Sequence, residues 1–489
     1  MSLTLAYTIA RDGLSTTSAA ASVVSRNIAN IDNPNSARKT ALIVTDTTGG
    51  VHVDAIVNAV DDALMERVLE GSATHSELAV ITTGLDRLAT ALGEPGDALS
   101  PASLIATLAS KLQLAAGAPH DEIALGGTIA TARSLTDSLN ASSRLVIDVR
   151  SEADISLREA AGTLSQLLRD FREINASIIA GSAEGRDVTD PIDQRTALLR
   201  DISTFVDIRP VVRGNNDMML FLANGATVFE TSPRDVSIDA GGVLAPGQSG
   251  GTLRIDGIPV RSGDGIGGRI GGLLRLRDDF APTVQRQLDE IARGLIVATA
   301  ESDQSVVATL PDLPGLFTHV GPPFLLGSAV RVDGLAGLIR VNAAVDPAQG
   351  GVALRLRDGG ISAPTIAAYT YNPSGAAGFG GRLLELIDRL SQDQLVDPTA
   401  GLSTSPTSVR EFAANSTGWV HRERALAHDS FDTETIRVER ALSAWQSRVG
   451  TNVDDEMVVL IGLQRSFQAS SHLINSISAM FDALLRATE

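Results

Sequence analysis

The chain has 489 residues, 43% hydrophobic and 20% charged, with a formal net charge of −18 and no cysteine. That acidity argues against nucleic-acid binding, which needs clustered Lys and Arg, and against docking on an anionic membrane surface. The missing cysteines exclude disulfides, thiolate chemistry and Cys-based metal sites.

The length predicts two to four domains. Aromatic content of 3% favours long seams of Ala, Leu, Ile and Val over a compact aromatic core. The opening MSLTLAYTIARDG lacks a basic n-region and is broken early by Arg11 and Asp12, so it makes a poor secretory signal. No stretch approaches the ~20 apolar residues of a membrane span.

In chain order, the first element is a helix. Leu3, Tyr7, Ala10, Leu14, Thr17, Ala21, Val24, Ile28 and Ile31 step by four and three, a coiled-coil seam about 40 Å long. Asp32, Asn33 and Pro34 end it. Helical patterns follow at 58–92, 101–116 and about 145–181, and again at about 272–302. Between the last two, DMMLFLANGATVFE carries an Asn224-Gly225 hairpin signal, with TLRIDGIPVR after it.

From 304 to 405, prolines and glycines separate short alternating runs such as GLIRVNAAV and GVALRLRDG, which predicts a β-rich insert. A helix is expected at 409–448. The last helix repeats the stepping through Val453, Met457, Leu460, Gln464, Phe467, Ser471 and Ile474. Ile477, Phe481 and Leu484 continue after one short step, a stammer. Thr451 or Asn452 is its expected cap.

Few motifs carry chemistry. Gly263, Gly265 and Gly268 form a G-x-G-x-x-G, the pattern of a nucleotide-cofactor enzyme, but no parallel βαβ series surrounds it. His421 and His428 lie seven apart, whereas helical metal ligands usually sit at i and i+4. No nucleophile elbow or Walker loop is present, so no catalytic residue, metal ligand or cofactor site is assigned and no enzyme is expected.

Energetics bear on the two ends. Burying a Leu or Ile contributes roughly 1.5–3 kcal/mol, while ordering a residue costs about 1.5 kcal/mol. With Ala10, Thr17 and Ala21 at seam positions, one partner helix would barely stabilise the N-terminal helix. These ends are expected to gain order when neighbouring subunits surround them.

The domains expected are 1–55, an N-terminal helix and turn; 56–303, a helical rod with a β-hairpin region around 208–262; 304–405, the insert; 406–450, return helices; and 451–489, the C-terminal helix. The class is mainly α and elongated, with paired coiled-coil ends.

These residues also carry a resemblance. TTSAAASVVSRNIANIDNP resembles the N-terminal motif of flagellar axial proteins, the rod, hook and hook-associated proteins. In that motif a helix of small residues leads to an Asn-Ile-Ala-Asn turn, here Asn27 to Asn30 with Pro34 behind. The family usually continues with Gly-Tyr-Ser-Arg, where this chain has Asn35, Ser36, Ala37 and Arg38. The C-terminal TNVDDEMVVLIGLQRSFQASSHLINSISAMFDALL is similar to the partner motif. DQRTALLRDISTFVDIRPVV, headed by Asp193, Gln194 and Arg195, and GGRIGGLLRLRDDFAPTVQRQLDEIARGL from Gly267 resemble the members that join hook to filament.

The resemblance implies a non-catalytic subunit, exported by the flagellar type III apparatus without a cleaved signal. A cytoplasmic chaperone would hold its C-terminal helix. It would form a ring through Leu3, Leu14, Val24, Ile28, Ile31, Val453, Met457, Leu460, Phe467, Ile474, Ile477, Phe481 and Leu484. Hook protein and the second junction protein would be its neighbours, with the β-rich insert facing outward. A secreted coiled-coil effector or adhesin is the other reading of the same pattern.

Overall fold

The computed structural model describes residues 3–94, 96–239, 244–320, 332–402 and 405–488. Helix α1 (Leu3–Ala29) leads through an antiparallel hairpin, β1 (Lys39–Thr45) and β2 (Val51–Asn58), into α2 (Asp62–Leu92). Helices α3 (Pro101–Gly117), α4 (Glu122–Ala183) and α5 (Thr189–Phe205) follow. Two three-stranded antiparallel sheets come next. One is β3 (Ile208–Val212), β4 (Met218–Leu222) and β5 (Thr227–Phe229); the other is β6 (Val236–Ile238), β7 (Leu253–Ile255) and β8 (Ile258–Val260).

Helix α6 (Gly268–Arg275) runs through a π-turn at 276–280 into α7 (Ala281–Ala298). Beyond it lie β9 (Phe317–His319), β10 (Ile339–Val341), α8 (Arg355–Asp358) and α9 (Gly381–Ser391). Helices α10 (Val409–Val449) and α11 (Val453–Thr488) close the chain. The mainly α class with long helices at both ends is the one the sequence predicts.

Side-chain caps fix where the helices begin. Asp61 accepts from the Leu64 N–H at 3.0 Å, Asp121 from Ile123 at 2.9 Å, and Ser408 from Glu411 at 3.3 Å. Helix α4 has 62 residues and is about 93 Å long. The sequence predicts only its second half, because Gly126, Gly127 and a run of Ser and Thr weaken the helical signal before residue 145. Packing overrides that propensity, since Leu125, Ile129, Leu135 and Leu139 are all fully buried. The rod expected at 272–302 is likewise divided by the π-turn.

One apolar cluster joins α2, α3 and α4 to the sheets, α7 and α10. It takes in Leu316, Phe317, Leu335, Leu356 and Leu383, so the stretch 304–405 packs onto the rod. Residues 321–331 and 403–404 of that stretch lie outside the described residues.

Among its described residues, the β content expected there comes down to β9 and β10, paired over three residues each, and isolated bridges such as Gly359 to Thr370. GLIRVNAAV supplies only β10, and GVALRLRDG forms the turn of α8. The short alternation Leu354-Arg355-Leu356-Arg357 fits one helical turn as well as a strand. Buried carboxylates also take over the backbone N–H groups that neighbouring strands would have bound. Glu301 accepts from Ile361 at 2.9 Å and Ser362 at 3.1 Å, and Asp346 accepts from Ala348 at 3.0 Å.

Asp289 on α7 shows the same device, with a consequence for pH. It accepts from Gly334 at 2.8 Å, Ala336 at 2.9 Å and Gln285 Nε2 at 2.9 Å. Burial nonetheless pushes its carboxyl up from 3.8 to about 6, against these hydrogen bonds. The folded value lies above the unfolded one, so the fold holds this proton more tightly. The contribution of this group should therefore become more favourable as pH falls from about 6 to about 4. Amide exchange at Gly334 and Ala336 across that range measures it, and Asp289→Asn should remove the dependence.

Candidate functional site

The two chain ends and the segment that anchors them form the site. Helix α1 packs against α11 on one side and the β1–β2 hairpin on the other. Thr17 Oγ1 meets Ser466 Oγ at 3.5 Å, and a Cβ on Gly13 would touch Ser470 Oγ at 3.5 Å, so the helices run antiparallel. Toward the hairpin, Thr16 Oγ1 donates to the Val51 carbonyl at 2.7 Å. Thr16, Thr17, Ala20, Val23 and Val24 are buried between these two partners. The run of small residues thus already serves close packing within one chain.

The predicted seam residues distribute unevenly. Val24 is buried and Leu3, Leu14 and Ile28 are half-buried, while Ile31 lies exposed beyond the end of α1. On α11 the less exposed positions include Glu456, Leu460, Leu463, Ser470, Ile474, Ile477 and Phe481. Ser471 of the predicted seam is half-buried as well, so the less exposed positions before Ile474 follow both the predicted stepping and one through Glu456 and Leu463. Val453, Met457, Phe467 and Leu484 are exposed. Other apolar residues of α11 face solvent too, Val458 at 71%, Leu473 at 56% and Leu485 at 65% exposure. Asn452 is the cap, accepting from the Asp454 N–H at 2.9 Å.

Below α1 the chain is latched to the rod. Asn27 Nδ2 donates to the Lys39 carbonyl at 2.8 Å, and the Lys39 N–H donates back to Asn27 Oδ1 at 3.0 Å. Asn27 thereby pairs with a strand end as another strand would. Asn30 Nδ2 donates to the Arg26 carbonyl at 2.9 Å, while Pro34 is exposed. Lys39, 3% exposed, places Nζ 2.7 Å from Asp193 Oδ2 and 3.1 Å from Asp190 Oδ1. Asn58 Nδ2 donates to Asp193 Oδ1 at 2.8 Å. Burial pushes the Asp193 carboxyl up, against the downward pull of the Lys39 ammonium. Arg38 Nε meets the buried Glu456 at 2.6 Å, and its N–H donates to the Val449 carbonyl at 2.8 Å, which ties the hairpin to the start of α11.

Asp193, Gln194 and Arg195 act in different places. Asp193 faces the hairpin and Gln194 is exposed. Arg195 is buried beside α4, donating to Asn175 Oδ1 at 2.8 Å and to the Asn216 carbonyl at 2.5 Å. Burial lowers its pKa to about 10. Sequence reasoning missed Lys39, Asn58, Arg38 and Glu456. The signal for the first was its rarity: the chain has two lysines, Lys39 and Lys111, among 40 basic residues. A compact ammonium can reach two carboxylates at once. Asn27→Ala, which deletes two buried hydrogen bonds, is expected to lower stability by about 2 kcal/mol in thermal unfolding.

The remaining motifs have structural roles. Gly268 has φ +61°, and a Cβ there would lie 2.3 Å from the Phe205 carbonyl carbon; one on Gly267 would lie 2.8 Å from Asp207 Cβ. These glycines let the turn before α6 close onto residues 205–207. All described strand pairs are antiparallel, so the frame of a pyrophosphate cradle is not formed around Gly263, Gly265 and Gly268. His421 Nε2 contacts the Gly93 carbonyl and His428 Nε2 contacts Asp86, each at 3.0 Å, so both bind α10 to the end of α2. No group of three potential metal ligands occurs among the described residues, and no described helix is long and apolar enough to cross a membrane.

Residues 85–305 match the family model of the flagellar hook-associated protein FlgK helical domain. Residues 446–487 match that of the flagellar basal body rod FlgEFG protein C-terminal region. Among solved structures, the flagellar hook junction protein FlgK from Burkholderia pseudomallei is similar over 52% of this chain and 46% of that one, at 19% identity and a TM-score of 0.44. The chain thus spans less than half of that protein's length. No curated protein matches it.

The helical rod and the C-terminal helix are thus each similar, over the matched residues, to parts of flagellar axial proteins. Over residues 85–305 the chain is similar to the helical domain of flagellar hook-associated proteins.

Proposed function

We propose that this chain is the subunit that joins hook to filament. It forms a ring of its own copies between hook protein and the second junction protein. The observation that carries this reading is α11, whose apolar side chains line most of its circumference while α1 covers one side. A helix apolar on most sides is ordinarily buried, and Val458 and Leu473 are left exposed by the described residues. Neighbouring subunits' terminal helices would supply it.

The same surface suits a cytoplasmic chaperone during export through the type III apparatus. The stretch 304–405 would then face outward from the tube. Deleting the gene tests the role: hook-basal bodies should remain, with filaments unattached and motility lost. Normal filaments in the deletion strain would overturn it. In dilute solution, residues 1–50 and 450–489 should exchange their amides fastest and be removed first by protease, and equal protection of ends and rod would count against assembly through them.

A further inference from the structure

Away from the terminal helices, a cleft of about 720 Å³ opens between α4, the loop 246–252 and the π-turn. Its size is that of a small-molecule site. Five guanidinium groups line it, Arg150, Arg254, Arg261, Arg277 and Arg286, in a chain whose net charge is −18. No aromatic ring lines it, so it offers no stacking platform for a neutral sugar.

Arg277 and Arg254 are already matched by carboxylates, and Arg286 Nη2 donates to Thr283 Oγ1 at 2.7 Å. Arg277, 3% exposed, holds Asp154 at 2.7 Å and forks onto Asp278 at 2.8 Å. Arg254 grips Asp239 at 3.1 Å.

Arg150 is different. It is 8% exposed, yet no carboxylate lies within ion-pair distance among the described residues. Its Nε donates to the Arg277 carbonyl at 3.0 Å, Nη1 to Ala245 at 3.3 Å, and Nη2 to the Gln248 carbonyl. These bonds use three of its five N–H donors, and a buried charge is ordinarily paired. Burial lowers its pKa, the neighbouring Asp278 opposing this in part. Arg261, exposed at the rim, likewise has no ion pair among the described residues.

The walls are built for this lining. The π-turn is a rare departure within a helix, of the sort often kept at functional sites, and its Arg277, Asp278 and Asp279 all line the cleft. Asp279 is engaged by the Ser262 hydroxyl. Gly250 lets the loop close over Arg277, because a Cβ there would lie 2.7 Å from the guanidinium carbon.

We propose that this cleft binds a small polyanion, a di- or tricarboxylate or a phosphate, with Arg150 and Arg261 supplying the charge the protein leaves unmatched. The ligand's oxygens would take the remaining donors of Arg150 inside the cleft and the fork of Arg261 at its mouth.

Calorimetric titration of the full chain tests this, with citrate and separately with inorganic phosphate, each against sodium chloride of equal ionic strength. Saturable one-to-one binding of either anion is expected. Arg261→Ala, at an exposed position, should weaken it about tenfold, the worth of one charge-assisted hydrogen bond. Arg172→Ala, exposed on α4 about 33 Å away along the helix, should leave it unchanged. Saturation by neither anion overturns the proposal. So does binding that Arg261→Ala leaves intact, or a loss that both variants share.

Discussion

Replacing Lys39 by alanine is expected to lower the unfolding free energy by about 3–5 kcal/mol, because it strands the Asp193 carboxylate at a buried site without its counter-charge. Asp193 would keep the Asn58 amide at 2.8 Å and the Ala37 N–H but no counter-charge, while the more exposed Asp190 could turn to water. The double variant Lys39→Ala/Asp193→Ala should recover part of the loss, since much of it is the cost of the abandoned charge rather than of the missing bond.

The pH dependence follows. Without the ammonium, only the Ala37 N–H and the Asn58 amide oppose the upward push of burial on Asp193, so its folded pKa rises further above the unfolded value. The deficit should then shrink as pH is lowered and the carboxyl takes up a proton. Urea unfolding of the three proteins at neutral and acidic pH measures both effects. A Lys39→Ala loss below about 1 kcal/mol would mean that the latch is solvated and the account of it wrong.

The other large effect concerns assembly. Val458→Asp, Leu484→Asp and Leu485→Asp alter side chains that the isolated chain leaves exposed, so each should melt within about 0.5 kcal/mol of the parent. In cells each should abolish filament attachment, because a carboxylate would be forced into an apolar contact between subunits. Ile477→Asp offers the contrast. That residue is buried against the rest of the chain, and its replacement should loosen α11 in the monomer as well. Cells carrying Leu485→Asp that swim like the parent would sink the proposed use of this surface.

How much of this was legible in the sequence depends on the length scale of the pattern. Helices α1, α2, α3, α10 and α11 announce themselves through many turns of apolar spacing. The register of α11 was less plain, because an apolar residue stands on nearly every side of it and two seams compete; the less exposed positions follow both. The stretch 304–405 misled because local alternation was the only signal available. Its order depends on carboxylates as far away in sequence as Asp289 and Glu301, which no short window can connect to Gly334 or Ile361.

At the latch, the Asn-Ile-Ala-Asn turn and Asp193 were both visible, but nothing in either stretch indicates that they meet through one lysine. Of Gly263, Gly265 and Gly268, only the last has a close-packing role, seating α6 against Phe205 and Val206.

The near-absence of lysine has a practical consequence. Apart from the α-amino group, an amine-reactive dye has two side-chain targets, and in the folded chain Lys111 is exposed while Lys39 is enclosed by carboxylates. Uptake of dye at a second lysine would therefore register the moment the hairpin leaves α5, giving a direct reporter of its release without any engineered tag.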